Sequence, residues 1–263
     1  QGIMGGLYAK AQGEPEEVWR AVYEHYKPLS MEDSIPSTRE GRIVALGDKL
    51  DTLQQCFRIG LAPTGSKDPF ALRRAAQGVV RILVEGKFEN ELSDLVQGDL
   101  RDFMLDRIKY YFREIRGFKY DEVNAVLASG CGSLPDVEAR LTALAEVRPT
   151  ENFEPLAASF KRIANIIKQA EFEPTGVVDV ALFEDGPEAD LNKAFEEVRA
   201  KARGANYKKA LEAIASLRPK VDAFFDKVLV NAKVERVRVN RLTLLHNLLT
   251  EFSLSDMPRR HLC

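Results

Sequence analysis

The stretch PTGSKDPFALRR, residues 63–74, decides how this sequence divides into helices, because a tight loop and a helix start follow one another within it. Gly65 can adopt backbone angles that other residues avoid, which predicts a sharp turn. Asp68 predicts an N-cap, since its carboxylate can accept hydrogen bonds from the free N–H groups of a first helical turn. Pro69 suits the first helical position, where its missing N–H would be unpaired anyway. We therefore expect a helix that begins at Pro69.

Apolar residues recur at helical spacing on both sides of this loop. They predict an amphipathic helix from Glu40 to Phe57 before the loop and a helix that reaches about Val84 after it. The same periodicity predicts further helices at about 15–26, 100–116, 121–129, 135–147, 153–170, 187–201, 205–216, 219–229 and 233–252. The sequence therefore predicts an all-α protein.

Three segments interrupt the helical pattern. The polar joint 86–98 is the candidate domain boundary, which gives domains at 1–95 and 96–263. The segment 173–183 has β-branched residues; a loop is favoured there, and a short extended piece is the alternative. The tail 255–263 offers little that would order it.

Composition limits the classes of function. The chain has 263 residues and a formal net charge of −2, so any binding to RNA must come from local basic patches. Its three cysteines are far apart, which favours reduced thiols in a cytoplasmic protein. No apolar run approaches the roughly 20 residues of a membrane span, so no membrane association is expected. The first residue is Gln1, and we expect the chain to be a fragment of a longer protein.

Two acidic residues of the helix predicted at Glu40–Phe57, Asp48 and Asp51, are candidate metal ligands. Asp48 resembles the late aspartate that completes the metal site of HD-type hydrolases. That site also needs an upstream His and a His-Asp pair, and none of the three histidines of this sequence is followed by Asp. We therefore expect Asp48 to make hydrogen bonds or a salt bridge rather than to bind a metal.

Basic residues form two groups of candidate contacts for an anion. One group lies in the loop and in the helix after it: Lys67, Arg73, Arg74 and Arg81. Arg side chains suit bidentate contact with phosphate. The competing interpretation is a solvated helix face. The other group lies in the C-terminal half, again with a solvated surface as the alternative: Lys161, Arg162, Lys168, Arg218, Lys220, Lys233, Arg236, Arg238 and Arg241. Arg238 and Arg241 are one turn apart, which predicts a shared face.

The stretch 63–74, together with Ala45–Leu53, resembles the beta subunit of bacterial tetrameric glycyl-tRNA synthetase. The resemblance covers most of the chain and includes Ala158–Lys168, Arg218–Asp226 and Asn240–Leu242. Its most specific signature is the loop that contains Lys67, Asp68, Arg73 and Arg74.

The resemblance implies an HD-like helical domain followed by a helical-bundle anticodon-binding domain similar to that of arginyl-tRNA synthetase. It implies a non-catalytic part of a glycine–tRNA ligase that binds glycine tRNA, while the alpha subunit uses ATP and Mg²⁺ for aminoacylation. No cofactor and no DNA would bind to this fragment. The residues expected to contact tRNA are Lys161, Arg162, Arg218, Lys220, Arg236, Arg238 and Arg241. The alternatives are an HD-type metal-dependent phosphohydrolase and an all-helical module that binds the partner subunit without RNA.

Overall fold

The computed structural model describes residues 2–170, 172, 176–184 and 186–251, and these residues form helices and loops with no β-strand. The all-α prediction is confirmed. The helices are α1 (Gly2–Ala11), α2 (Glu16–Glu24), α3 (Arg39–Arg58), α4 (Leu72–Glu85), α5 (Leu92–Leu95), α6 (Gly98–Tyr110), α7 (Tyr120–Ala128), α8 (Leu134–Val147), α9 (Phe153–Gln169), α10 (Pro187–Ala202), α11 (Tyr207–Ala215), α12 (Arg218–Lys227) and α13 (Glu235–Glu251). A π-helical turn, Tyr111–Ile115, extends α6, and a 3-10 turn spans Val180–Leu182.

The helix after the loop begins three residues later than the sequence predicts. Helix α4 starts at Leu72, and Ala71 before it has a left-handed conformation with φ of 54°. The amide of Ala71 donates to the carbonyl of Asp68 at 3.1 Å, so residues 68–71 form a separate turn. The Asp68 carboxylate reaches across this turn and accepts from the amides of Leu72 at 2.8 Å and Arg73 at 3.0 Å. The predicted capping chemistry is present, but Pro69 lies outside the helix.

Helix α1 has no counterpart among the helices predicted from periodicity. Its three glycines disfavour an isolated helix. Tertiary packing overrides this preference, because a Cβ at Gly6 would lie 2.5 Å from the Cβ of Tyr23 in α2. The glycines thus let the backbones of α1 and α2 approach more closely than side chains would allow.

The chain folds into two compact units, residues 1–139 and 140–263. In the first unit α2 packs on α3, α3 packs on α4, and α6 packs on both α3 and α4. In the second unit α9 packs on α12 and α13, and α10 packs on α11, α12 and α13. Its core includes Ile163, Leu191, Val221, Phe224, Leu244 and Leu245. The sequence predicts a division between residues 95 and 96, which separates the expected HD-like domain from the expected anticodon-binding domain. This division stays a prediction.

No helix among the described residues is both long enough and apolar enough to span a bilayer. In the segment 173–183, residues 173–175 lie outside the described residues, and the remainder is a loop that contains the 3-10 turn. The tail 255–263 also lies outside them.

Candidate nucleic-acid interface

Helix α9 turns a cationic face away from the core of the second unit. Its opposite face is held in place by Leu156 and Ile163, which are buried against α12 and α13. The outward face exposes two small residues near its start, three cations and two amides: Ala157, Ala158, Lys161, Arg162, Asn165, Lys168 and Gln169. No acidic residue occurs between Pro155 and Gln169. This surface, called the α9 face below, therefore carries positive charge that no neighbour on its own helix neutralises.

An aromatic ring of α12 borders the α9 face. The guanidinium carbon of Arg162 lies 4.2 Å from the ring centroid of Phe225, which is a cation–π contact. Phe225 is half-buried and meets the buried Phe224 edge to face, with ring centroids 5.6 Å apart. Its helical spacing predicts a core residue and gives no signal that the ring borders a cationic surface. The contact places one exposed guanidinium next to an aromatic ring.

The cations of the α9 face differ from Arg218 and Lys220 in their partners. In the described part of the chain, no carboxylate pairs with Lys161, Arg162 or Lys168. Arg218 instead donates to the carbonyl of Glu151 at 3.0 Å and ties the start of α12 to the loop before α9. Lys220 pairs with Asp190 at 2.9 Å, and this hydrogen bond lowers the pKa of the Asp190 carboxyl. Arg218 and Lys220 therefore already have partners within the fold.

The three arginines of α13 occupy three different environments. Arg236 is exposed, and no carboxylate of the described residues pairs with it. Arg238 forms a two-pronged ion pair with Glu235, at 2.7 and 2.8 Å, which raises the pKa of the guanidinium and lowers that of the carboxyl. Arg241 is only 5% exposed, so it does not share an accessible face with Arg238.

Arg241 is part of a buried polar cluster. It donates to the carboxylate of Glu188, which is 1% exposed, and to the carbonyl of Leu229 at 2.9 Å, and it pairs with Glu184 at 3.2 Å. The amide of Glu184 donates to Glu188 at 2.8 Å. The expectation that Arg241 faces RNA is therefore corrected: its guanidinium is used inside the second unit, where it connects α13 to the start of α10.

The signature loop of the first unit is fixed by its own hydrogen bonds. Thr64 and Lys67 exchange backbone hydrogen bonds at 3.2 and 2.9 Å around Gly65, whose φ is 52°. Arg73 donates from Nη2 to the carbonyl of Gly65 at 2.6 Å. The amides of Leu72 and Arg73, at the start of α4, donate to Asp68, so these two are not available to an external anion. Of the loop's charged side chains, those of Lys67 and Arg74 remain exposed.

Arg81, the last member of the loop's predicted basic group, is a buried structural residue. It is 8% exposed and donates to both carboxylate oxygens of Glu85, at 2.7 and 3.1 Å. It also donates to the carbonyls of Ser30 and Met31. The Arg81 guanidinium thus pairs with Glu85 and holds the 28–38 loop against α4.

The candidate metal residues of α3 lie on its exposed side. Asp48 is exposed, and the Asp51 carboxylate accepts from Gln55 at 3.1 Å. Among the described residues, no three His, Cys, Asp or Glu side chains come together as a metal site would require. The adjacent Lys49 is the buried charged residue of this helix, and burial lowers the pKa of its ammonium.

Comparison with known proteins identifies relatives along almost the whole chain. The family model described as glycyl-tRNA synthetase beta subunit matches residues 1–128. The glycine–tRNA ligase beta subunit of Acidobacterium capsulatum is 46% identical over 96% of this chain and 40% of its own length. The corresponding subunit of Geobacter metallireducens is 42% identical over 93% of this chain and 38% of its own length. The chain thus spans about 40% of the length of the curated relatives that it matches.

Proposed function

Because this chain belongs to the glycyl-tRNA synthetase beta-subunit family, we propose that it supplies a surface of that synthetase that binds glycine tRNA, and that this surface is the α9 face. In this proposal residues 1–95 form part of an HD-like domain and residues 96–263 form the anticodon-binding domain. The alpha subunit is the partner that carries out aminoacylation with ATP and Mg²⁺ in the cytoplasm. This part of the chain contributes binding rather than catalysis.

The observation that carries the proposal is the contrast between free and paired cations in the second unit. An RNA backbone is a dense row of negative charges, and protein cations gain most from it when no carboxylate already neutralises them. Lys161, Arg162 and Lys168 meet this condition on one helix, whereas Lys220 and Arg238 are held by Asp190 and Glu235. Ala157 and Ala158 leave the start of the same face free of bulky side chains, so a sugar–phosphate backbone can approach closely.

Arg162 and Phe225 add a feature that suits unpaired nucleotides. Proteins that read single-stranded RNA stack bases on aromatic rings and on guanidinium planes. The guanidinium beside Phe225 is exposed, so it offers a planar cation to a base or to a phosphate. An anticodon loop presents unpaired bases and phosphates of this kind, and in this proposal it is the part of the tRNA that the α9 face binds.

A salt titration tests the proposal. The dissociation constant of the purified chain for glycine tRNA is measured over a series of salt concentrations, with a tRNA for another amino acid alongside. The logarithm of affinity should fall linearly with the logarithm of salt concentration, by about one unit of slope for each phosphate contacted. In the variant Lys161→Ala/Lys168→Ala the slope should decrease by about two units.

The matched control is Lys208→Ala/Lys220→Ala, which changes the net charge equally but removes lysines that pair with Glu146 and Asp190. This control should keep most of the slope. Equal losses in both variants would mean that only net charge matters, and the α9 face would not be the binding site. Equal affinity for both tRNAs would show that the α9 face does not recognise the anticodon. No binding at low salt would favour a module that binds the partner subunit without RNA.

A further inference from the structure

Helix α1 exposes neighbouring apolar side chains on the side that faces solvent. Four of its side chains are between 46% and 63% exposed although all are large and mainly apolar: Ile3, Met4, Leu7 and Tyr8. They recur at positions i, i+1, i+4 and i+5, which places them on one side of the helix. This set is called the α1 outer face below.

The inner side of α1 uses its smallest residues. Gly2 and Gly6 are buried against α2, and a Cβ at Gly6 would lie 2.8 Å from the Cα of Tyr23 and 2.9 Å from the carbonyl oxygen of Trp19. A helix that only covers a core buries its large apolar residues and exposes its small or polar ones. Helix α1 has the reverse arrangement, which indicates that both of its sides are built for contact.

The α1 outer face has no charge of its own. Lys10 is the charged residue of α1, and its Nζ lies 4.7 Å from the ring centroid of Trp19 on α2. A surface without cations does not attract an RNA backbone. The four side chains lie side by side and carry no charge, so an occupant that covers them should present an apolar protein surface.

The α1 outer face alone is too small to hold a second copy of the chain in a stable dimer. A ten-residue helix is about 15 Å long and about 10 Å wide with its side chains, so one side of it offers on the order of 200 Å². A stable dimer buries about 800 Å² on each partner. The relatives, in contrast, have about 60% of their length outside the part that this chain matches, since 40% of the first of them is covered.

We propose that the α1 outer face is covered by another part of the complete beta subunit, which docks an apolar surface on Ile3, Met4, Leu7 and Tyr8. This proposal rests on family membership and on the packing of α1, and it is independent of RNA binding by the α9 face. It predicts that the 263-residue chain exposes a surface that the complete subunit buries.

Oxidative footprinting of Met4 and Tyr8 tests the proposal. Two proteins are compared: the 263-residue chain, and a complete subunit in which these residues replace the matching 40% of the Acidobacterium capsulatum subunit. In the isolated chain Tyr8 and Tyr120 should be labelled at similar rates, because they are 63% and 64% exposed. In the complete subunit the labelling of Met4 and Tyr8 should become several-fold slower. Unchanged labelling in the complete subunit would overturn the proposal.

A double variant keeps the test informative if the chimeric subunit does not fold. Leu7→Glu/Tyr8→Glu in the isolated chain should lower the unfolding temperature only slightly and reduce the binding of a hydrophobic dye, because Leu7 and Tyr8 are 46% and 63% exposed. A large drop in the unfolding temperature would show that the face is already buried. Protection of Tyr8 that increases with the concentration of the isolated chain would show that the occupant is a second copy. Either result would contradict the proposal.

Discussion

The aliphatic stem of Lys49 in α3 crosses directly over Gly78 in α4. A Cβ at Gly78 would lie 2.9 Å from Cε and 3.2 Å from Cδ of Lys49. Beyond Gly78, the Lys49 ammonium donates to the carbonyls of His25 at 3.3 Å and Tyr26 at 3.2 Å. One lysine thus connects α3 to the end of α2, and it can do so because residue 78 has no side chain.

Substitution of Gly78 by alanine should destabilise the first unit. The new methyl group must displace a lysine that is held at its far end by two hydrogen bonds, and overpacking of this kind costs about 1–3 kcal/mol. Alanine recovers about 1 kcal/mol through its better helix propensity, so we expect a net loss of about 1 kcal/mol in the free energy of unfolding.

The control for Gly78→Ala is Gly47→Ala, on the exposed side of α3. A Cβ there has no neighbour within 4 Å, so only the gain of about 0.5–1 kcal/mol from helix propensity remains. Denaturant unfolding of the two variants should give changes of opposite sign. A stabilising Gly78→Ala would show that Lys49 can move away freely.

Lys49 should also make stability depend on pH in the alkaline range. Burial lowers the pKa of its ammonium below the usual 10.5, so between the two values the unfolded chain binds more protons than the folded one. Stability attributable to Lys49 therefore rises as the pH increases through this window toward 10.5. The measurement is the free energy of unfolding of the natural chain minus that of Lys49→Met at a series of pH values. A difference that falls as the pH rises would contradict the assigned burial of the ammonium.

The Asp68 carboxylate should stabilise the protein by capping α4, although Asp68 itself lies outside the helix. It accepts from two amides that would otherwise be unpaired at the start of α4, so Asp68→Ala should lower the free energy of unfolding by about 1–2 kcal/mol. Asp68→Asn keeps one of the two acceptor oxygens and should lose less. Arg74→Ala is the control, since this exposed side chain should change stability by less than about 0.5 kcal/mol. Equal effects of Asp68→Ala and Arg74→Ala in chemical denaturation would exclude the capping role.

The helices were largely predictable because their apolar residues follow a regular period. For example, the helix expected at 135–147 is observed at Leu134–Val147. The sequence did not predict helix α1, because this helix depends on the close packing of Gly6 against Tyr23, a contact with another helix that its own residues do not reveal. The start of α4 was displaced because the turn at 68–71 cannot be recognised from Asp68-Pro69 alone.

The candidate site was only partly predictable, because sequence identifies charges but not their partners. Lys161 and Lys220 look equivalent in the sequence, yet only Lys220 meets a carboxylate, from a residue 30 positions away. Arg241 lies one helical turn after Arg238, and its buried partner is Glu188, 53 positions away. Long-range pairs of this kind require the fold.

The Arg241–Glu188 pair should be a strong determinant of stability in the second unit. Removal of one member of a buried ion pair leaves the other charge without a partner, which costs about 3–5 kcal/mol. We expect a loss of this size for Arg241→Ala and little change for Arg238→Ala, whose ion pair with Glu235 is at the surface. Arg241→Met/Glu188→Gln removes both charges, and the new glutamine side chain keeps an acceptor for the amide of Glu184, so this double variant should recover most of the loss. The measurement is denaturant unfolding of the three variants alongside their affinity for glycine tRNA at one salt concentration. If Arg241→Ala kept full stability and lost only RNA affinity, Arg241 would belong to the RNA-binding surface after all.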